Sequence, residues 1–141
     1  MSASYRIDPH ARLVVIDWRD TSATFPEVRD TLERLLRDPA FGADFGIISD
    51  RRQIPAEPDQ STIRQFLNFL GRHAERLGAV RWATVSPSDQ PVVFGMGRMA
   101  EGLADSYGVS YRVFTDYDEA VAWATARAEM KNEKLKMKNE K

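Results

Sequence analysis

Short, strongly apolar runs alternating with helix-length amphipathic stretches constrain this chain more than any other feature. The runs are Leu13–Ile16, Phe45–Ile48, Val80–Val85 and Tyr111–Phe114, with helix-like segments between and after them. Strand, helix, strand, helix is the pattern of an α/β sheet whose parallel strands are joined by crossover helices. Ahead of the first run, Tyr5–Ile7 reads as a further short strand. Asp8-Pro9-His10-Ala11 turns it, because Asp before Pro initiates turns and Pro holds φ where a turn needs it. A hairpin is the simplest connection there, so the first strand is expected antiparallel. Leu13–Ile16, apolar at every position, suits burial on both faces. The expectation is one α/β domain with a mixed sheet of about five strands and about four helices.

Each helix carries its own punctuation. The first has Thr24 as cap, Pro26 in its first turn and Glu27 near the positive end of the dipole. Val28, Leu32, Leu35 and Leu36 form its apolar stripe, and Asp38-Pro39 stops it. Ser61 or Asp59 caps the second, which carries Ile63, Phe66, Leu67, Leu70, Ala74 and Leu77 on one face and ends at Gly78. Phe69 falls off that stripe, and a ring exposed there would mark a contact surface. Ser86-Pro87-Ser88-Asp89 opens the third helix, with Pro91 in its first turn. Its stripe is Met96, Met99, Ala100, Leu103 and Tyr107, and Gly108 closes it. Asp116 or Asp118 caps the last, which carries Ala120, Val121, Trp123 and Ala124.

At 141 residues the chain has the length of one domain. A net charge of −1 gives no long-range pull toward nucleic acid. One stretch departs from the average: 131–141 holds five Lys and two Glu, a local charge of +3 that leaves −4 for the rest. It belongs to a repeat in which Met130–Lys134 recurs as Met137–Lys141. With so little to bury, 130–141 is expected as a charged tail, disordered or a frayed helix, outside a folded domain at 1–129. There is no cysteine, which excludes disulfides, thiolate metal sites and thiol catalysis. No apolar core of signal-peptide length follows Met1, and no run approaches the roughly 18 apolar residues of a membrane span. A cytoplasmic location is the expectation.

Three stretches carry a resemblance to a known family. They are Arg37–Phe41 (RDPAF) ahead of Ile47–Arg52 (IISDRR), Pro91–Met99 (PVVFGMGRM), and Tyr111–Asp116 (YRVFTD) running on to Glu119–Trp123 (EAVAW). With the order of elements, they resemble the STAS fold of anti-sigma-factor antagonists and, more narrowly, the bacterial SpoIIAA-like family related to it. The resemblance spans about Tyr5 to Ala128 and implies a regulatory or binding module. Antagonists place a phosphorylatable Ser in an Asp-Ser-Ser-Gly-type turn at a helix start. Here that region reads Asp50-Arg51-Arg52-Gln53 with a long loop to Ser61, which is left as the phosphorylation candidate. The family also implies lipid-like ligands, as in CRAL-TRIO-type carriers.

Gly95–Ala100 (GMGRMA) matches G-x-G-x-x-A, and Asp116 follows some way on. In dinucleotide-binding folds such glycines let a pyrophosphate reach a helix N-terminus. However, Val80–Val85 already supplies the strand, Ser88, Asp89 and Pro91 read as the helix start, and too little chain follows Asp116. Close helix–sheet packing is the preferred role of the glycines, and no cofactor is expected. Parallel sheets present ligand groups beyond the carboxyl ends of their strands, here Ser49-Asp50, Ser86-Pro87 and Thr115-Asp116. The candidate ligand contacts are therefore Asp50, Arg51, Arg52, Phe94, Arg98 and Met99, with arginines for an acidic head and Phe94 and Met99 for an apolar body. The preferred reading of that loop is nevertheless a solvated one in which Asp50 pairs with a neighbouring Arg. His10 in a turn and His73 on the polar side of a helix lack a second ligand at metal spacing, so no metal is assigned. A Ser49, His73, Asp50 triad has no nucleophile-elbow pattern behind it, and no catalytic residue is assigned.

The expected function is a non-catalytic regulatory or binding module, not an enzyme. One alternative is a carrier of a small amphipathic or lipid-like ligand held between the second and third helices. The other is a nucleotide-binding protein acting through Gly95–Ala100. Expected partners are a protein or a small amphipathic ligand and not nucleic acid. A homodimer is left open, and no sequence feature supports peripheral membrane contact.

Overall fold

The computed structural model describes residues 3–18, 24–53, 60–77, 80–87, 89 and 91–126. The repeat tail at 130–141, Gly78, and Ser88 of the third helix's expected start lie outside them, as does the side chain of Met96. In chain order the elements are β1 (Ser4–Asp8), β2 (Leu13–Asp17), α1 (Phe25–Arg37), β3 (Gly46–Asp50), α2 (Gln60–Arg72), α3 (Ala74–Leu77), β4 (Arg81–Val85), α4 (Pro91–Ala104), a 3-10 turn (Asp105–Tyr107), β5 (Ser110–Phe114) and α5 (Tyr117–Thr125). The five strands lie in sequence order, β1 antiparallel to β2 and the rest parallel. This is the mixed α/β sheet that the alternation predicts.

Sequential strand order decides how the helices distribute. Each crossover steps one strand in the same direction, so a single handedness puts every crossover helix on the same face. α1, α2, α3 and α4 accordingly share one core with Val14, Ile16, Ile47 and Trp82. Among the described residues the other face has α5 alone, whose Ala120 and Ala124 pack on Ile48, Ala83, Val85 and Phe114. Its approach to β3 is close: a Cβ on Gly46 would lie 2.5 Å from the Ala124 carbonyl oxygen. α5 packs on β3, β4 and β5 and stops short of the hairpin. That corrects the two-faced burial expected of Leu13–Ile16. Val14 and Ile16 are fully buried, whereas Leu13 and Val15 are partly exposed, because no described helix covers β1 and β2 on that side.

Most helix signals hold, with informative exceptions. The α1 stripe is buried as spaced, and the helix ends at Asp38. Thr24 occupies the cap position but donates its hydroxyl to Glu27 Oε1 (3.3 Å) instead of accepting from a backbone N–H. The expected second helix breaks at His73, whose ring stacks on Phe69 (centroids 4.1 Å apart) with Nδ1 2.9 Å from the Phe69 carbonyl. His73 is therefore half-buried at a junction rather than on a polar face. Beyond the break, spacing counted from α2 no longer tells which side faces in, and Ala74 is exposed while Leu77 is buried. Phe69 is buried, not a surface ring. α2 lies between α1 and α4, so more than one stripe of it is covered. Asp116, rather than Asp118, caps α5, accepting from the Glu119 N–H at 3.0 Å. Among the described residues no helix is long and apolar enough to cross a membrane.

Candidate functional site

Side chains alternate between the two faces of a strand. On the helix-covered face β3 contributes Ile47, then Ser49, then Arg51 just past its end. β4 contributes Trp82, Thr84 and Ser86 in the same phase. Register sets Ser49 beside Thr84 and Trp82 beside Tyr111. The buried face of the sheet thus changes from apolar to polar as the strands approach their carboxyl ends. Ser49, Thr84 and Ser86 are the buried hydroxyls of the sheet. Around them lies a cavity of about 50 Å3, lined by Trp18, Val28, Thr62, Ile63, Phe66, Gly97 and Ala100 from the surrounding loops and helices.

Two indole groups organise the polar floor. Trp18 Nε1 donates to Ser49 Oγ at 2.7 Å. Trp82 Nε1 donates to Thr84 Oγ1 at 3.2 Å, and Thr84 passes its own proton to the Tyr111 hydroxyl at 2.7 Å. An indole N–H can only donate, so Ser49 and Thr84 are the acceptors of these two bonds. Ser49 has accepted and still has a proton to give, and so has Tyr111. Burial holds the Tyr111 phenol above its ordinary range.

Arg51 completes the lining. Its backbone N–H continues the sheet by bonding the Val85 carbonyl at 3.0 Å, which fixes the side chain toward the cavity face. Nη2 is shut off from solvent, and among the described residues nothing accepts from it. Burial lowers the guanidinium's pKa from its ordinary value. The Trp18 ring, with its centroid 6.0 Å from Cζ, is its visible compensation.

Of the six ligand contacts expected from the sequence, Arg51 alone lines this cavity. Asp50 and Arg52 fall on the opposite face, where Arg52 binds both Asp50 carboxylate oxygens (2.8 and 3.0 Å) and stacks over Tyr117 at 5.1 Å. They border a wider groove of about 430 Å3 beside the uncovered hairpin, together with Arg6, Val15 and Asp17. Phe94, Arg98 and Met99 lie on α4 and border neither space. Arg98 is exposed and paired with Glu101 at 3.1 Å, Met99 packs against the main core, and Phe94 is half-buried. Ser61 is exposed in the first turn of α2, next to Thr62 of the lining. Gly95 and Gly97 sit inside α4 rather than at a strand–helix junction, where a dinucleotide fingerprint would need them. Among the described residues no group of three His, Asp or Glu could hold a metal ion.

Sequence reasoning missed Trp18, Thr84, Ser86 and Tyr111 as parts of one site. A signal existed. Ser49-x-Arg51 and Thr84-x-Ser86 are polar pairs at period two, in phase with Ile47 and Trp82. Nothing among protein-family models, curated proteins or solved structures matches the chain.

Proposed function

We propose that this protein is a non-catalytic binding module of SpoIIAA-like, STAS-related type that holds a small acidic ligand at the carboxyl ends of β3 and β4. The observation that carries this is the buried, unpartnered Nη2 of Arg51. Burying a cation without a counter-charge is among the costlier things a fold can do. Arginine cannot escape by losing its proton near neutral pH. Stacking on Trp18 offsets only about 0.5–2 kcal/mol of such a cost. An oxyanion brought by a ligand supplies the missing partner. The aromatic walls, Trp18, Phe66 and Trp82, suit an apolar body attached to that anion, which joins the module and carrier readings in one site. Among the described lining residues there is no His, Asp or Glu to serve as a general base. That supports binding without turnover.

The test is thermal unfolding in acetate, phosphate or sulfate against chloride at matched ionic strength, for the parent and for Arg51→Met. An anion at a hundredfold its Kd should stabilise the parent by about 2.7 kcal/mol. Arg51→Met should be at least as stable as the parent in chloride, because it removes an uncompensated charge, and should ignore the anions. A parent indifferent to every anion, with Arg51→Met markedly less stable, overturns the proposal and makes Arg51 a structural residue.

A further inference from the structure

The cavity also narrows which anion it takes. We infer that its ligand is a singly charged carboxylate with a short apolar body, and that a phosphate is excluded. This rests on the anion-binding function proposed above and adds charge, donor geometry and size to it.

Charge comes first. Arg51 is the one cation among the described lining residues. A monoanion neutralises it, whereas a phosphate dianion leaves a net negative charge against largely apolar walls, with the desolvation cost that implies. Glu101, close enough to act on the Tyr111 phenol, opposes any surplus of negative charge.

The donors come second. Ser49 and Tyr111 have each accepted a bond on the protein side, from Trp18 and Thr84, and keep a proton to give. With Arg51 Nη2 they offer three donors to one ligand. A carboxylate is acceptor-only through its two oxygens. A neutral amide of the same shape offers one acceptor oxygen in place of two and brings no charge to meet Arg51.

Size comes third. The cavity is small, about 50 Å3, and partly open to solvent. The carboxylate takes most of that room. The rest is bounded by Phe66 and Trp82, packed edge to face with centroids 4.7 Å apart. Those rings favour one or two aliphatic carbons over further polar atoms.

Propionate, propionamide and inorganic phosphate distinguish the alternatives. Each is titrated into the full chain while the Trp18 and Trp82 indole N–H resonances are followed, since both groups bond the floor hydroxyls. Propionate should saturate, with propionamide and phosphate at least tenfold weaker. Tyr111→Phe and Ser49→Ala should each weaken propionate about tenfold, the loss of one hydrogen bond to a charged group. The selectivity series uses unaltered protein, so it stands even if a variant fails to fold. Phosphate equal to or tighter than propionate overturns the carboxylate assignment and leaves the anion-binding function in place. Propionate that binds both folded variants as tightly as the parent also overturns it, because the donors then do not hold the ligand. Indole resonances that move for none of the three compounds overturn the assignment and the proposed function together.

Discussion

Gly97→Ala should destabilise the protein although the same change elsewhere in the same helix should stabilise it. Gly97 lies inside α4, where alanine is favoured over glycine by about 1 kcal/mol on helix propensity alone. Against that gain stands the neighbouring strand. A Cβ on Gly97 would sit 2.6 Å from Val113 Cγ2 and 3.0 Å from Val113 Cβ. Val113 is buried on β5, and its Cβ cannot swing aside as the end of a flexible side chain could. Forcing an extra methyl into such a contact costs about 1–3 kcal/mol. At Gly95 and Gly102 of the same helix an added Cβ meets no atom within 4 Å, so only the propensity gain remains.

The sharp quantity is the difference between Gly97→Ala and Gly95→Ala, because helix propensity cancels and the strain is left. It should be about 1–3 kcal/mol, or several degrees in Tm for a chain of this length. Urea and thermal unfolding of the three single variants measure it. Adding Val113→Ala to Gly97→Ala removes the clashing Cγ2, so the double variant should be more stable than additivity predicts by about 0.5–3 kcal/mol. If Gly97→Ala matches Gly95→Ala, or if the double variant is strictly additive, α4 does not press on β5 as described.

Two other measurements bear on the polar floor. Ser49→Ala keeps the volume nearly unchanged but removes the hydroxyl that accepts from Trp18 Nε1 at 2.7 Å in a buried setting, so urea unfolding should show a loss of about 1–3 kcal/mol; a variant within about 0.5 kcal/mol of the parent, the range of an ordinary surface change, would show that this bond contributes nothing. For Tyr111, burial raises the folded-state pKa above the ordinary phenol value of about 10, near which the unfolded chain titrates. Its share of stability is whole below pH 10 and is lost as pH climbs from there toward the raised folded value, because the unfolded chain gives up its proton first. Stability measured from pH 9 to 11.5 should therefore fall less steeply in Tyr111→Phe, and equal slopes would refute the burial argument.

How much was legible in the chain depended on which force set each feature. Helix stripes and stops are local, and Val28, Leu32, Leu35 and Leu36 could be placed from spacing alone because α1 buries one side. Phe69 could not, since its burial comes from α2 being flanked by α1 and α4, which only the assembled fold supplies. Val15 failed for the mirror reason: its run is as apolar as that of a two-faced strand, but the helix on that side follows the far edge strand and packs chiefly on β3, β4 and β5, leaving Val15 partly buried at the margin of its cluster. Composition reports what a strand could bury. Topology decides what does the burying.

The candidate site shows the same separation at the scale of three residues. Asp50, Arg51 and Arg52 are adjacent in sequence, and adjacency suggested one charged cluster. Along an extended chain adjacency has the opposite meaning, because neighbours point to opposite faces. Asp50 and Arg52 share a face and neutralise each other there, beside Tyr117, with the groove open to solvent. Arg51 between them turns to the covered face, where Ser49, Thr84 and Tyr111 are tied to the two indoles or to one another. The pairing of its two neighbours is therefore part of why Arg51 stands alone: the one carboxylate next to it in sequence is held by Arg52 on the other side of the sheet. A chain that meant only to solvate this loop would gain by placing the lone arginine at either flanking position. Keeping it at the inward-facing one leaves Nη2 out of solvent with no acceptor among the described residues, and that is the observation the proposed ligand answers.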